Sequence, residues 1–338
     1  MHTEPKRPSS ATRRAFNVAA VAALFGTAGA SHGAESILFI GNSFTYALGS
    51  AVETFQPGTV TDLNGGKIGG FPALFKSFTQ QAGLEYTVSL ETVGGSGLDL
   101  HFNTKKPLID KAWDNVVMHT FSTLNASMPG NPAQLIQYTG LLTSMFEARN
   151  PNVNVNLMAT WSRADQTYPS TGAWFGKDIY QMGKDVKAGY DLAAAANPSV
   201  RGVIPVGDAW NFAMLSGYAD TNPYDGIDPG KRNLWATDSY HASLYGSYLE
   251  ALTVFGNITG LDPRSLGANE RAAQSLGIST GDSLAMQNIA YQTLQVTAVP
   301  EPSTYLMMAF GIAGLTVWQR RRQSTGTNGR MTSSKRAT

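Results

Sequence analysis

The 338-residue chain contains no cysteine. That excludes disulfides, thiolate metal sites and a cysteine nucleophile. Charge is sparse at 14% of residues, and there are only five histidines. No His, Asp and Glu residues cluster at metal-ligand spacing, so no metal is implied. Gly94, Gly95 and Gly97 lack the spacing of a dinucleotide fingerprint, so no cofactor is implied either. No segment repeats, and no run of charge occurs outside the two ends.

What is present is a large apolar fraction, 42%, with 35 glycines, enough for a sizeable core in a loop-rich α/β fold. Lys6, Arg7, Arg13 and Arg14 precede an alanine-rich apolar run over residues 15–30. Small residues follow, with candidate cleavage points after Ala30 or Ala34. This is the layout of a secretory signal peptide. Residues 12–16 also resemble a twin-arginine export signal, which serves folded proteins.

The other end is similar in plan. Pro300-Glu301-Pro302 leads into an apolar run over 305–318, and Arg320, Arg321 and Arg322 follow. The run falls short of the ~20 residues that span a bilayer comfortably, although residues 304–319 taken together reach a marginal span. The arginines would stay cytoplasmic. The segment resembles a PEP-CTERM sorting tail. That resemblance implies an exported protein of a Gram-negative envelope, in the periplasm, outer envelope or extracellular matrix. It also implies a transient membrane anchor, handled by export and sorting machinery and cleaved near Pro-Glu-Pro. Residues 323–338 continue beyond such a tail. The expected organisation is a signal peptide over 1–34, a main domain over 35–298, a sorting and transmembrane segment over 299–322 and a basic tail over 323–338. Of 25 basic and 24 acidic residues the two ends hold ten and two, which leaves the middle with 15 and 22, a net −7. An acidic body argues against a nucleic-acid surface.

Within the middle, short apolar runs alternate with helical periodicity. Strands are expected at 37–40, 86–90, 113–118, 153–160 and 203–206. Helices are expected at 71–82, 98–103, 133–149, 177–196 and 243–255, with further helix in 268–298. Strands that alternate with helices give a parallel, doubly wound sheet between helical layers. Five strands are expected.

The first strand runs directly into Gly41-Asn42-Ser43. Gly41 permits a tight turn there. Ser43 then lies at the carboxyl edge of the sheet, where open α/β folds bind ligands. Two readings stand for it: a turn or helix-capping serine, or a nucleophile. A nucleophilic serine needs a base. His2 and His32 fall in the signal region, which leaves His101, His119 and His241. His241 ends Asp238-Ser239-Tyr240-His241, just before a helix. An aspartate three residues before a histidine in a turn can fix the imidazole tautomer, or it can cap the helix that follows. His101 is expected to be exposed on its helix. Trp161 follows the fourth strand and is a candidate sugar-stacking wall or a core residue. Asp208 and Trp210 read as structural.

Gly-Asn-Ser after the first strand, Gly94-Gly95 after the second and Asp238-x-x-His241 near the end resemble the SGNH, or GDSL-type, hydrolase family over residues 36–298. The resemblance implies a three-layer α/β/α fold and ester hydrolysis through a serine. Carried over by position, Ser43 is the nucleophile, His241 the base and Asp238 its partner, with the Ser43 and Gly95 amides as oxyanion donors. Two departures are visible. The family's Gly-Asp-Ser reads Gly41-Asn42-Ser43. Its Gly-x-Asn after the third strand is missing, which leaves the His119 ring N–H or the Thr120 hydroxyl as substitute donors, or His119 as a core residue. The implied substrate is a small acyl ester or an acylated polysaccharide. A non-catalytic glycan-binding or matrix protein on the same fold is the other expectation.

Overall fold

A computed structural model describes residues 33–298, with side chains to residue 295. Six strands form one parallel sheet: β1 (Glu35–Gly41), β2 (Thr61–Asp62), β3 (Tyr86–Thr92), β4 (Asn115–Met118), β5 (Asn154–Ala159) and β6 (Val200–Pro205). Their spatial order is β2-β3-β1-β4-β5-β6. The sheet therefore has one strand more than expected. The addition, β2, is two residues long and pairs Thr61 with Ser89 and Asp62 with Leu90 on the β3 edge. Its polar residues carry no apolar-run signal, and pairing with β3 alone makes it a strand.

The helices are α1 (Gly70–Gln81), α2 (Leu98–Thr104), α3 (Lys106–Ile109), α4 (Ala133–Arg149), α5 (Ala164–Thr167), α6 (Ile179–Ala196), α7 (Val206–Leu215), α8 (Leu244–Thr259), α9 (Arg271–Leu276) and α10 (Thr280–Ala298). They cover both faces of the sheet. Successive β1 residues point to opposite sides. Ile37 and Phe39 join a core with Phe71, Phe75 and Phe78 of α1 and Leu249, Leu252 and Phe255 of α8. Leu38 and Ile40 join the other core, with Leu142 and Phe146 of α4 and Val186 and Tyr190 of α6. A strand buried on both faces must be apolar throughout, which is why β1 reads as an unbroken apolar run. The three layers match the expected α/β/α class. Three helices depart from the sequence expectation: the one-turn α3 and α5, and α7, which Val206 opens rather than closing a strand.

Chain order places β1 beside both β3 and β4. The chain thus passes to one side of β1 and then the other, and loops diverge above its carboxyl end. That divergence opens the crevice in which α/β sheets place their chemistry.

Among the described residues no helix is long and apolar enough to cross a membrane. The signal run and the C-terminal segment expected to span the membrane lie outside the described residues.

Candidate active site

Gly41 ends β1 in a very close approach. A Cβ there would sit 2.2 Å from both His119 Nε2 and Thr45 Oγ1. Those two atoms are themselves hydrogen-bonded at 2.7 Å. Gly41→Ala must therefore displace a buried pair or the strand end. It is expected to lower stability by roughly 1–3 kcal/mol, read as a drop in thermal midpoint.

Ser43 follows two residues later and is only 4% exposed. Its Oγ lies 2.9 Å from His241 Nε2. His241 Nδ1 lies 2.6 Å from Asp238 Oδ2. The Asp238 carboxylate accepts, so the Nδ1 position carries the hydrogen and Nε2 is left as acceptor for the serine hydroxyl. Asp238 Oδ1 accepts from the amides of Tyr240 at 3.0 Å and His241 at 2.9 Å. Partial burial pushes the Asp238 carboxyl up. The hydrogen bonds from the His241 ring and the two amides outweigh it and hold the group below the usual carboxylate range. The helix that follows is capped by Ser243, whose hydroxyl accepts from Gly246 N at 3.3 Å. Asp238 is thereby left to the histidine, and Ser43 caps no helix. The structure brings Ser43, Asp238 and His241 together across 198 residues of sequence.

The β3 end contributes the Gly94-Gly95 turn, with Gly95 at φ 66°. Among the described residues neither the Ser43 nor the Gly95 amide donates to a protein acceptor. Asn42 binds the loops together. Its Nδ2 donates to Ser96 O at 2.9 Å and to Thr120 O at 3.3 Å, and its Oδ1 accepts from Phe44 N at 3.1 Å. Three strand-end loops meet on this amide. A carboxylate could make only the last of those contacts, because it has no N–H to donate. Asn42 thus reaches well beyond its own turn. Its partners lie 54 and 78 residues away.

Three expectations are corrected here. His119 is not an oxyanion donor in this geometry. It is 1% exposed. Its Nδ1–H donates to Thr120 O at 3.0 Å, and its Nε2 accepts from the Thr45 hydroxyl at 2.7 Å. Burial pushes its imidazole down to about 4, so the ring is neutral with both nitrogens engaged. Thr120 is equally buried. Its amide donates to Tyr190 Oη at 2.9 Å and its hydroxyl accepts from Leu98 N at 3.4 Å. Trp161 is no substrate wall, because it has no exposed surface. It stacks between Phe44 (4.1 Å, 9°) and Trp210 (4.5 Å, 5°), so both faces of its ring are covered. His101 is not exposed either. It has no solvent-accessible surface, and its ring nitrogens face Ser96 and Glu91.

The Trp161 stack supports the site from below. Phe44 meets the His241 ring edge-on at 5.8 Å. Tyr240 lies 4.0 Å from His241, and the Arg163 guanidinium sits 3.5 Å above Tyr240. Asp165 and Ser122 hold that guanidinium in place. A separate surface groove of about 470 Å³ is lined by Gly130, Trp174, Lys177 and Leu192, and it contains none of these residues. Among the described residues no three His, Asp or Glu side chains could hold a metal ion together.

Residues 298–322 match the PEP-CTERM protein-sorting motif. The chain carries an envelope-sorting signal. The PEP-CTERM motif indicates export and envelope sorting in Gram-negative bacteria. No curated protein sequence matches the chain. Among solved structures, a DUF4886 family protein from Bacteroides uniformis superposes on this chain with a TM-score of 0.57 at 17% identity, covering 80% of this chain and 99% of the other. A candidate SGNH hydrolase from Slackia heliotrinireducens gives 0.45 at 21% identity, covering 67% and 100%. A catalytic mutant of an acetylxylan esterase from Geobacillus stearothermophilus gives 0.44 at 17%, covering 67% and 95%. At 17% identity the likeness to the DUF4886 protein is one of fold.

Proposed function

We propose that this chain is an exported serine hydrolase of the SGNH type that cleaves esters through Ser43. One observation carries the reading: Ser43 Oγ, His241 and Asp238 form a continuous hydrogen-bonded line at the carboxyl edge of β1. In the proposed reaction Nε2 of His241 takes the Ser43 proton as Oγ attacks the acyl carbon. Asp238 keeps the ring oriented and stabilises the imidazolium. The Ser43 and Gly95 amides, which have no other acceptor among the described residues, bind the oxygen as it becomes negative. His241 then protonates the leaving alcohol. Water, activated by the same nitrogen, hydrolyses the acyl-enzyme and restores Ser43.

The acyl group is proposed to be acetyl or another short acyl, carried on carbohydrate. An acetylxylan esterase among the fold neighbours and the envelope address are the supports for that choice. The proposed layout keeps the signal peptide at 1–34, the hydrolase domain at 35–298, the sorting segment with its transient anchor at 299–322 and the basic tail at 323–338.

The test uses the purified protein with p-nitrophenyl acetate and a fluorophosphonate probe. Ester turnover and a single label on Ser43 are expected, the label located by mass spectrometry. Labelling elsewhere, or no turnover across a panel of acyl esters, overturns the reading. The second reading is a glycan-binding or matrix protein on the same fold. Its motive is His119, whose two ring nitrogens are both engaged, so that the ring offers no free donor at β4. Glycan binding that survives Ser43→Ala, without turnover, would favour it.

A further inference from the structure

Glu91, Ser96 and His101 form a second hydrogen-bonded line beside the first, and they are 0%, 3% and 0% exposed. Ser96 Oγ donates to Val93 O at 2.7 Å. Its remaining contact, 2.9 Å from His101 Nε2, is therefore one that it accepts. His101 Nδ1 faces Glu91 Oε2. Glu91 Oε1 accepts from Asn64 Nδ2 at 3.1 Å, and Lys105 Nζ stands 3.9 Å away. The order of groups repeats serine, histidine and acid. Yet this serine is not set up to attack a substrate, because its proton is committed to the Val93 carbonyl and the histidine beside it donates rather than accepts.

Burying such a set is unfavourable compared with apolar packing unless every member is satisfied, and its removal piecemeal is worse. What it holds explains its place. Ser96 is the residue after Gly95. Its carbonyl is held by Asn42 Nδ2, next to Ser43, while its hydroxyl is held by His101 on α2. Gly94 and Gly95 are exposed and Gly95 lies at positive φ, so the turn is held through Ser96, whose amide donates to Val93 O at 3.3 Å beside the hydroxyl bond to the same oxygen. We propose that Glu91 and His101 are positioning residues that fix, through Ser96, the direction of the Gly95 amide toward the oxygen of the reacting ester. The inference rests on the serine-hydrolase function proposed above.

The experiment compares the full chain with His101→Leu, His101→Gln and Ser96→Ala. Kinetics with p-nitrophenyl acetate are read beside the inhibition constant of phenylboronic acid, a tetrahedral adduct former, and the thermal midpoint. His101→Leu is expected to lose about 10²-fold in kcat, the scale of a small misplacement of a reacting-centre group, with KM unchanged. Boronate inhibition should weaken in parallel. His101→Gln, which keeps an N–H able to reach Ser96, should recover most of the loss. A merely structural role would instead lower the midpoint and the folded fraction while leaving kcat per folded molecule and boronate affinity alone. That result overturns the inference while the esterase reading stands. A wild-type protein without turnover overturns the esterase reading and takes this inference with it. If His101→Leu does not fold, Ser96→Ala decides by the same kcat and boronate readouts.

Discussion

Ser43→Ala is expected to abolish ester hydrolysis, with kcat falling by on the order of 10⁶. Removing one buried hydroxyl leaves the backbone path of the turn unchanged, so the variant should fold with an unaltered thermal midpoint. His241→Ala is expected to fall nearly as far, because a hydroxyl without its base is a weak nucleophile. The double variant should fall no further, since residues that act as a unit are not additive. Asp238→Asn keeps the shape but disturbs the tautomer, and a loss of about 10⁴ is expected. Steady-state turnover of p-nitrophenyl acetate measures all four. Full activity in Ser43→Ala would remove the serine mechanism altogether.

Glu250→Met is expected to stabilise the protein at pH 7 by about 2 kcal/mol, or roughly 5 °C in thermal midpoint. Glu250 lies on α8, has no exposed surface, and neither carboxyl oxygen has a hydrogen-bond partner among the described residues. Burial holds this carboxyl well above the usual carboxylate range. The folded chain therefore keeps a proton here that the unfolded chain gives up near pH 4.5. As pH rises above that point the unfolded state is favoured and stability falls. Glu250→Met removes this descent. His119 works in the opposite direction. Its folded-state value of about 4 lies below the ordinary 6.5, so the unfolded chain takes up the proton first. The stability it contributes is full above pH 6.5 and is lost on the way down to about pH 4, a matter of about 3 kcal/mol. The two slopes oppose each other between pH 4.5 and 6.5, so chemical denaturation of the wild type should show little change there and a decline above pH 6.5, whereas Glu250→Met should show a rise up to pH 6.5 and no decline. An unchanged decline would mean that Glu250 has a partner or reaches solvent.

The parts of this fold that could be read from sequence are those whose signals are local. The unbroken apolar run of β1 declares a strand buried on both faces. Asp238 and His241 sit in one turn, so their spacing carries the contact. The missed features depend on distant partners. Thr61–Asp62 becomes a strand only by lying against β3. His101 looks like a surface residue until Glu91 and Ser96 are placed around it. Trp161 follows a strand at the chemical edge, but which way its ring turns is decided by Phe44 and Trp210, more than forty residues away on either side. Val203–Val206 reads as one apolar run, and the break at Pro205 that turns it from β6 into α7 has no signature in apolar pattern alone.

The aromatic column beneath the site has an optical consequence. Trp161 and Trp210 lie 4.5 Å apart and 5° from parallel, with Trp235 set at 69° to the second ring. Indoles this close share their electronic excitation, so the near-ultraviolet circular dichroism of the protein reports their mutual angle. Phe44 closes the column at its upper end, adjacent in sequence to Ser43 and edge-on to His241. The protein thus contains a chromophore whose end ring is the neighbour of Ser43, and acylation of that serine is expected to change the near-ultraviolet signal without any added dye.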